Sequence, residues 1–175
     1  MDKADFYFNG EDYSEAYYEY AKALQLDKDN KWIKYCMDIS GRFKNIDNCP
    51  AITSYDSLFD DLKELYNEVD DDKKYKLCLS FKNLLVTHAN THLNNPFVNG
   101  EFFWRELNAV TNYYDRFINE LRLTNKIMKI ICNSYSETLK LEIREYDTFS
   151  SKSKKPLALI KLKMHQVERM MKKVY

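Results

Sequence analysis

Tyr13-Ser14-Glu15-Ala16-Tyr17-Tyr18-Glu19-Tyr20-Ala21-Lys22-Ala23-Leu24-Gln25-Leu26-Asp27-Lys28-Asp29-Asn30 decides how this chain begins to fold. It reads as a helix whose apolar residues return every three or four positions, closed by Asp27, Asp29 and Asn30, which favour a turn. The rest of the chain continues in the same manner. Three glycines and three prolines in 175 residues are too few for a loop-rich β-fold. The apolar residues recur at helical spacing, and the chain is long enough to bury about two-thirds of its unfolded surface as one domain. The expectation is an all-α protein.

The opening stretch resembles the second helix of a tetratricopeptide repeat. In that family a small residue on the second helix lets the two helices of a hairpin approach closely, and bulky residues a turn away lock them together. The resemblance implies that Ala16 and Ala23 sit at the close contact, framed by Tyr13, Tyr20, Leu24 and Leu26. It places Ala4 at the small position and Tyr7 at the aromatic position of a shortened first helix over Met1 to Asn9, with the turn glycine displaced by one residue to Gly10. Lys28 stands where the family usually has a proline. A helix from Lys31 to Lys44 would stack next, with Gly41 where the pattern wants an aromatic. The resemblance covers residues 1-44, and its specific part is Tyr13 to Asn30; repeats of this kind need roughly three neighbours to bury a continuous core, and no second clear unit follows. The fold expected is a tetratricopeptide-like hairpin region (1-50), a bundle of longer antiparallel helices (51-150) and a basic amphipathic C-terminal helix (151-175), within a single all-α domain over 1-175.

Asn45 to Ser54 reads as a connector around Cys49-Pro50. Ser54 is placed to cap a helix with a Leu58, Leu62, Leu65 and Val69 stripe. Asp70-Asp71-Asp72 marks a break and a solvated helix start, without the spaced ligands and glycine of a calcium loop. Lys73 to Leu93 carries Cys78, Phe81, Leu85, His88 and His92 on one side, and Asn94-Asn95-Pro96 ends it. From Glu101 the stripe runs through Phe103, Leu107, Val110, Tyr114, Phe117, Leu121, Thr124, Met128, Ile131 and Tyr135, which predicts one long helix packed as in a bundle or coiled coil. Ser134-x-x-Glu137 resembles a capping box and predicts a break or stutter near Asn133. After a polar linker at Ser150 to Lys155, Pro156 opens a last helix with a strict seam of Leu157, Ile160, Met164, Val167, Met171 and Val174.

The zero net charge hides an asymmetry. Residues 1 to 72 carry 8 lysines and arginines against 18 acids, 73 to 150 carry 11 against 8, and 151 to 175 carry 8 against 1. Either the acidic front and basic tail attract one another, or the tail meets an external polyanion. Cys36, Cys49, Cys78 and Cys132 are scattered, with no paired zinc spacing, and suit thiols of a reducing compartment. The N-terminus lacks a basic start and apolar run, and no apolar segment approaches membrane-spanning length, so the expectation is a cytoplasmic protein.

His88-Ala89-Asn90-Thr91-His92 sets two imidazoles one helical turn apart, which would hold a transition metal if a third ligand arrived from elsewhere. The glutamate of a metalloprotease helix is absent, and His88 shares the Phe81 and Leu85 stripe, where a core histidine is the commoner outcome. Asn83-Leu84-Leu85-Val86-Thr87-His88 resembles the polar-residue-to-histidine spacing of helical HEPN ribonucleases. The resemblance implies an arginine and histidine acting on an RNA phosphodiester, but the arginine is missing unless Arg105 or Arg116 replaces it in space. No phosphate loop, nucleophile elbow or dinucleotide fingerprint appears. No catalytic residue, cofactor or metal is assigned.

Anchors of the kind that dominate protein interfaces are Tyr13, Tyr17, Tyr20, Trp104, Arg105 and Tyr113. The basic tail presents Lys161, Lys163, Arg169, Lys172 and Lys173. The leading expectation is a non-enzymatic helical interaction module of the adaptor, regulator or inhibitor type, binding a protein partner or a second copy through helix faces. The alternatives are nucleic-acid or anionic-surface binding through the C-terminal helix, and a helical metal-dependent enzyme or HEPN-like ribonuclease using His88 and His92.

Overall fold

The computed structural model describes residues 2–48, 55–93, 100–146 and 157–174. Among them are eight α-helices and one 3-10 turn, and no strand: α1 (Asp2–Asn9), α2 (Tyr13–Leu26), α3 (Lys31–Lys44), the 3-10 turn (Ile46–Asn48), α4 (Asp56–Glu68), α5 (Asp71–Leu93), α6 (Gly100–Glu120), α7 (Asn125–Tyr146) and α8 (Leu157–Val174). The all-α expectation holds. No helix among the described residues is long and apolar enough to cross a membrane. Cys49, Ser54, the Asn94-Asn95-Pro96 stop, the 150–155 linker and Pro156 lie outside the described residues, as do the side chains of His92, Leu157 and Val174. The chain falls into two compact units, Met1–Leu84 and Leu85–Tyr175, divided inside α5.

The first unit is a run of antiparallel helices. Lys3 bonds Glu19, Asp5 bonds Tyr20, and Phe8 meets Tyr13, so α1 runs opposite to α2. Tyr13 on Phe43 and Tyr20 beside Cys36 set α3 opposite to α2 in turn. Ala4 and Ala16 are both buried in the cluster that α1, α2 and α3 share with Tyr20, Ile33 and Cys36, and Ala23 packs on its margin. Gly41 allows a close approach of α2 and α3, since a Cβ there would lie 3.2 Å from Tyr17 Cε2.

Helix starts follow elementary capping chemistry, in which a side-chain oxygen takes up an orphan backbone N–H. Asp12, Asn30 and Asp70 accept from Glu15 N, Ile33 N and Lys73 N at 3.2, 3.0 and 2.9 Å. Asp70 is thus a cap, as the solvated-start reading expects. The α1 stop is less ordinary. Asp12 N bonds Tyr7 O and Glu11 N bonds Phe8 O, the paired bonds of a Schellman turn, which wants a glycine in the left-handed position. Gly10 falls one residue early, so Glu11 takes that position with φ 62°.

In α4, Leu58, Leu62 and Leu65 are buried as their stripe predicts, and Phe59 meets Phe81 of α5 edge-on at 5.3 Å. Tyr35 of α3 is sealed inside, its hydroxyl donating to Leu77 O at 3.3 Å.

In the second unit, α6 packs on α7 and α7 on α8. Here the structure corrects the long-helix reading: the break is at 121–124, not near Asn133. Thr124 restarts the chain, its Oγ1 accepting from Ile127 N at 3.4 Å and its carbonyl from Met128 N at 2.8 Å. Ser134 lies inside α7, where its carbonyl accepts from Thr138 Oγ1. Leu121 and Ile127 stay buried on either side of the break. An apolar stripe that resumes in phase cannot register a turn between two packed helices.

Candidate functional site

The first unit contains a cavity of about 230 Å³ between α1, α2, α3 and the start of α5. Six aromatic side chains contribute to its wall. Tyr13 stacks on Phe43 with ring centroids 4.3 Å apart, and Phe8 meets both edge-on at 5.5 and 6.0 Å. Trp32, Tyr35 and Ile39 of α3 extend the apolar surface. These rings converge because α1, α2 and α3 each turn one aromatic-bearing face to the same hollow. The Trp32 Nε1–H is buried with no hydrogen-bond partner among the described residues, and Lys73 lies over its ring.

Polar groups occupy the margin. Asp5 accepts from the Tyr20 hydroxyl at 2.5 Å, and Glu11 stands on the strained turn. Burial pushes the Tyr20 phenol far up, with the neighbouring Cys36 and Asp5 adding to it. Burial, then the charge of Glu11, raises the Tyr13 phenol as well. Burial pushes the Cys36 thiol to about 12. These three groups are therefore neutral at physiological pH, leaving Asp5, Glu11 and Lys76 as the charged side chains of the wall. A second hollow of about 430 Å³, bordered by Tyr17, Arg42, Lys44 and Asp61, is a mixed-charge surface whose ions already have partners: Asp61 binds Lys34, and Lys44 lies over Tyr17 and Tyr18.

Among the residues expected to anchor a partner, Tyr13 is half-buried in the cavity wall and Tyr17 is half-buried against Gly41 and Lys44. Tyr20 lines the cavity but is almost wholly enclosed. Trp104 and Tyr113 are only 2% exposed, so the structure corrects their assignment: both belong to the core of the second unit. They lie on the inward side of α6 with Phe103, Leu107 and Val110, where helical spacing alone does not separate a core ring from an interface ring. Arg105 is exposed, placed over the Phe102 ring at 5.0 Å and bonded through Nε to Glu106.

His88 is fully enclosed. Its Nε2 lies 3.2 Å from Glu106 Oε2, and the other Glu106 oxygen accepts from Arg105 Nε at 3.3 Å. An arginine therefore does come near the histidine, joined to it through a carboxylate. His88 and Glu106 are enclosed, 0% and 1% exposed, whereas Arg105 at the end of this chain of bonds reaches solvent. No group of three or more His, Cys, Asp or Glu side chains suited to a metal is present among the described residues. Sequence reasoning passed over Glu106, although a carboxylate inside the apolar stripe of α6 was a legible signal that a buried partner awaited it.

In the tail, Ile160 and Val167 are buried, and Met164 and Met171 are half-buried. Lys161, Arg169, Lys172 and Lys173 are exposed. Lys163 departs from the expected solvated set: it pairs with Asp115 of α6, whose other oxygen accepts from Tyr135 of α7 at 2.6 Å. The spacing of Lys163 within α8 did not show this, because its partner lies 48 residues away. Cys36, Cys78 and Cys132 are buried thiols outside any disulfide.

Compared with known protein families, curated proteins and solved structures, the chain has no match.

Proposed function

We propose that this chain is a non-enzymatic helical interaction module of the adaptor, regulator or inhibitor type, with a tetratricopeptide-like hairpin opening its first unit. The observation that carries the reading is the aromatic cavity between α1, α2, α3 and α5, bordered by charged side chains. Aromatic rings that offer a large, rigid surface at small entropic cost supply much of the binding energy at protein interfaces. Tyr13 belongs to that wall and remains half-exposed. The test is light scattering for self-association, together with capture of partners from native cells and reconstitution with the purified partner. The expected result is a dimer or a defined complex that Tyr13→Ser weakens while leaving the fold intact. A monomer that retains no partner refutes the reading.

A second reading is favoured by the outer face of α8. Leu159 and Leu162 are 41% and 52% exposed there, and Lys161, Arg169, Lys172 and Lys173 flank them. An apolar stripe with a basic border suits nucleic acid or an anionic surface. Reversing Lys161, Arg169 and Lys172 to glutamate leaves the buried seam untouched. Salt-sensitive binding to RNA or anionic vesicles that is lost in this variant supports the second reading.

A further inference from the structure

We propose that the cavity of the first unit receives the cationic head of an arginine or lysine side chain carried by a basic segment of a partner protein. This rests on the interaction-module reading and names the partner chemistry at the same cavity.

Size comes first. At about 230 Å³ the half-open hollow has room for one side-chain head, and it falls below the roughly 300 to 1,000 Å³ of sites that swallow a small molecule whole. Its wall then selects the kind of head. Tyr13 and Phe43 cover one face of each other and Phe8 meets both edge-on, and the ring surface that they leave in the wall attracts a cation. Neutral phenols and thiol bring no competing charge.

The carboxylates supply the counter-charge. Tyr20 occupies Asp5 Oδ1, and the other oxygen of Asp5 has no hydrogen bond among the described residues. Glu11 sits in a left-handed conformation that a glycine would take without strain, with Gly10 immediately beside it. A strained residue retained at the lip of a cavity points to a use for its side chain. Residues 1 to 84 carry 12 lysines and arginines against 18 acids, so the field of this unit draws a basic segment inward. Lys76 in the wall and Lys73 over the Trp32 ring are opposing charges, and Lys76 gives the proposal a sign that an experiment reads.

The test uses the full chain, with short peptides alternating glycine with arginine, with lysine or with glutamate. The readout is the indole N–H resonance of Trp32, with that of Trp104 as internal control. A basic peptide should shift Trp32 and leave Trp104 in place, and the glutamate peptide should do neither. Whether arginine, lysine or both bind identifies the head group. Glu11→Gln should weaken binding about tenfold, the effect of losing one charged hydrogen bond. Glu11→Gly should lose the same affinity while raising the denaturation midpoint, a combination that a purely structural role does not produce. Lys76→Gln should tighten binding. The proposal is overturned if neither basic peptide moves Trp32, if Glu11→Gln binds as the parent does, or if Lys76→Gln weakens binding. A cellular partner whose affinity ignores Glu11→Gln leaves the module standing and removes the cavity's role. A monomer that binds no partner removes both.

Discussion

Replacing Asp115 by alanine should destabilise the second unit more than any single exposed ion pair would. Asp115 on α6 accepts from the Tyr135 hydroxyl of α7 at 2.6 Å through one oxygen and pairs with Lys163 of α8 through the other, so three helices meet at one carboxylate. The two halves carry unequal weight. Tyr135 is 1% exposed, so losing Asp115 takes a charged acceptor away from a hydroxyl held in the core. A hydrogen bond to a charged group contributes about 1.5 to 3 kcal/mol. The Lys163 and Asp115 side chains retain 24% and 36% of their exposure, so solvent screens that pair, and it contributes about 0 to 1 kcal/mol. Together the loss is about 1.5 to 4 kcal/mol, read as a lower urea midpoint with unchanged slope. Lys163→Ala should cost under about 1 kcal/mol. A double-mutant cycle should assign most of the coupling to Asp115 and Tyr135 rather than to Asp115 and Lys163. The reasoning fails if Asp115→Ala leaves the midpoint in place, or if Lys163→Ala costs as much as Asp115→Ala.

Two further outcomes follow from packing and burial. Ala16 has no exposed surface at the centre of α1, α2 and α3, so Ala16→Leu should cost about 1 to 3 kcal/mol through overpacking, and an unchanged midpoint would contradict the close approach. Burial pushes the Cys36 and Cys78 thiols from 9.0 to about 12. A raised value means that the folded chain keeps protons the unfolded chain has released, so this stability is complete below about pH 9 and declines as pH rises towards 12. Urea midpoints across that range should fall, less steeply in Cys78→Ala; an equal slope in the variant would disprove the assignment.

Local chemistry was legible in the sequence. Asp70 stands before a helix start and proves to be its cap, Leu58, Leu62 and Leu65 line one buried face, and α3 spans Lys31–Lys44, the bounds expected for it. Each of these depends on residues within a few positions of one another, where spacing and structure are the same information. The turn at 121–124 was not legible, because Leu121 and Ile127 keep the apolar phase on both sides of it. Trp104 and Tyr113 illustrate the same limit: a ring on an apolar stripe is core or interface according to what covers it, and the covering helices come from distant sequence.

By itself the sequence determined that the chain is helical, where most helices start, and which faces are apolar, since propensity, capping and periodicity act between near neighbours. Tertiary structure alone decided that Glu106 seals His88, that Lys163 leaves the basic face for Asp115, and that Phe8, Tyr13 and Phe43 close around a cavity with Asp5 and Glu11 in its wall. His88 and Glu106 lie 18 positions apart, Asp115 and Lys163 48, and Asp5 and Tyr20 15. A side chain's charge, exposure and partner are set there by the helices packed around it, and no local pattern encodes which helices those are.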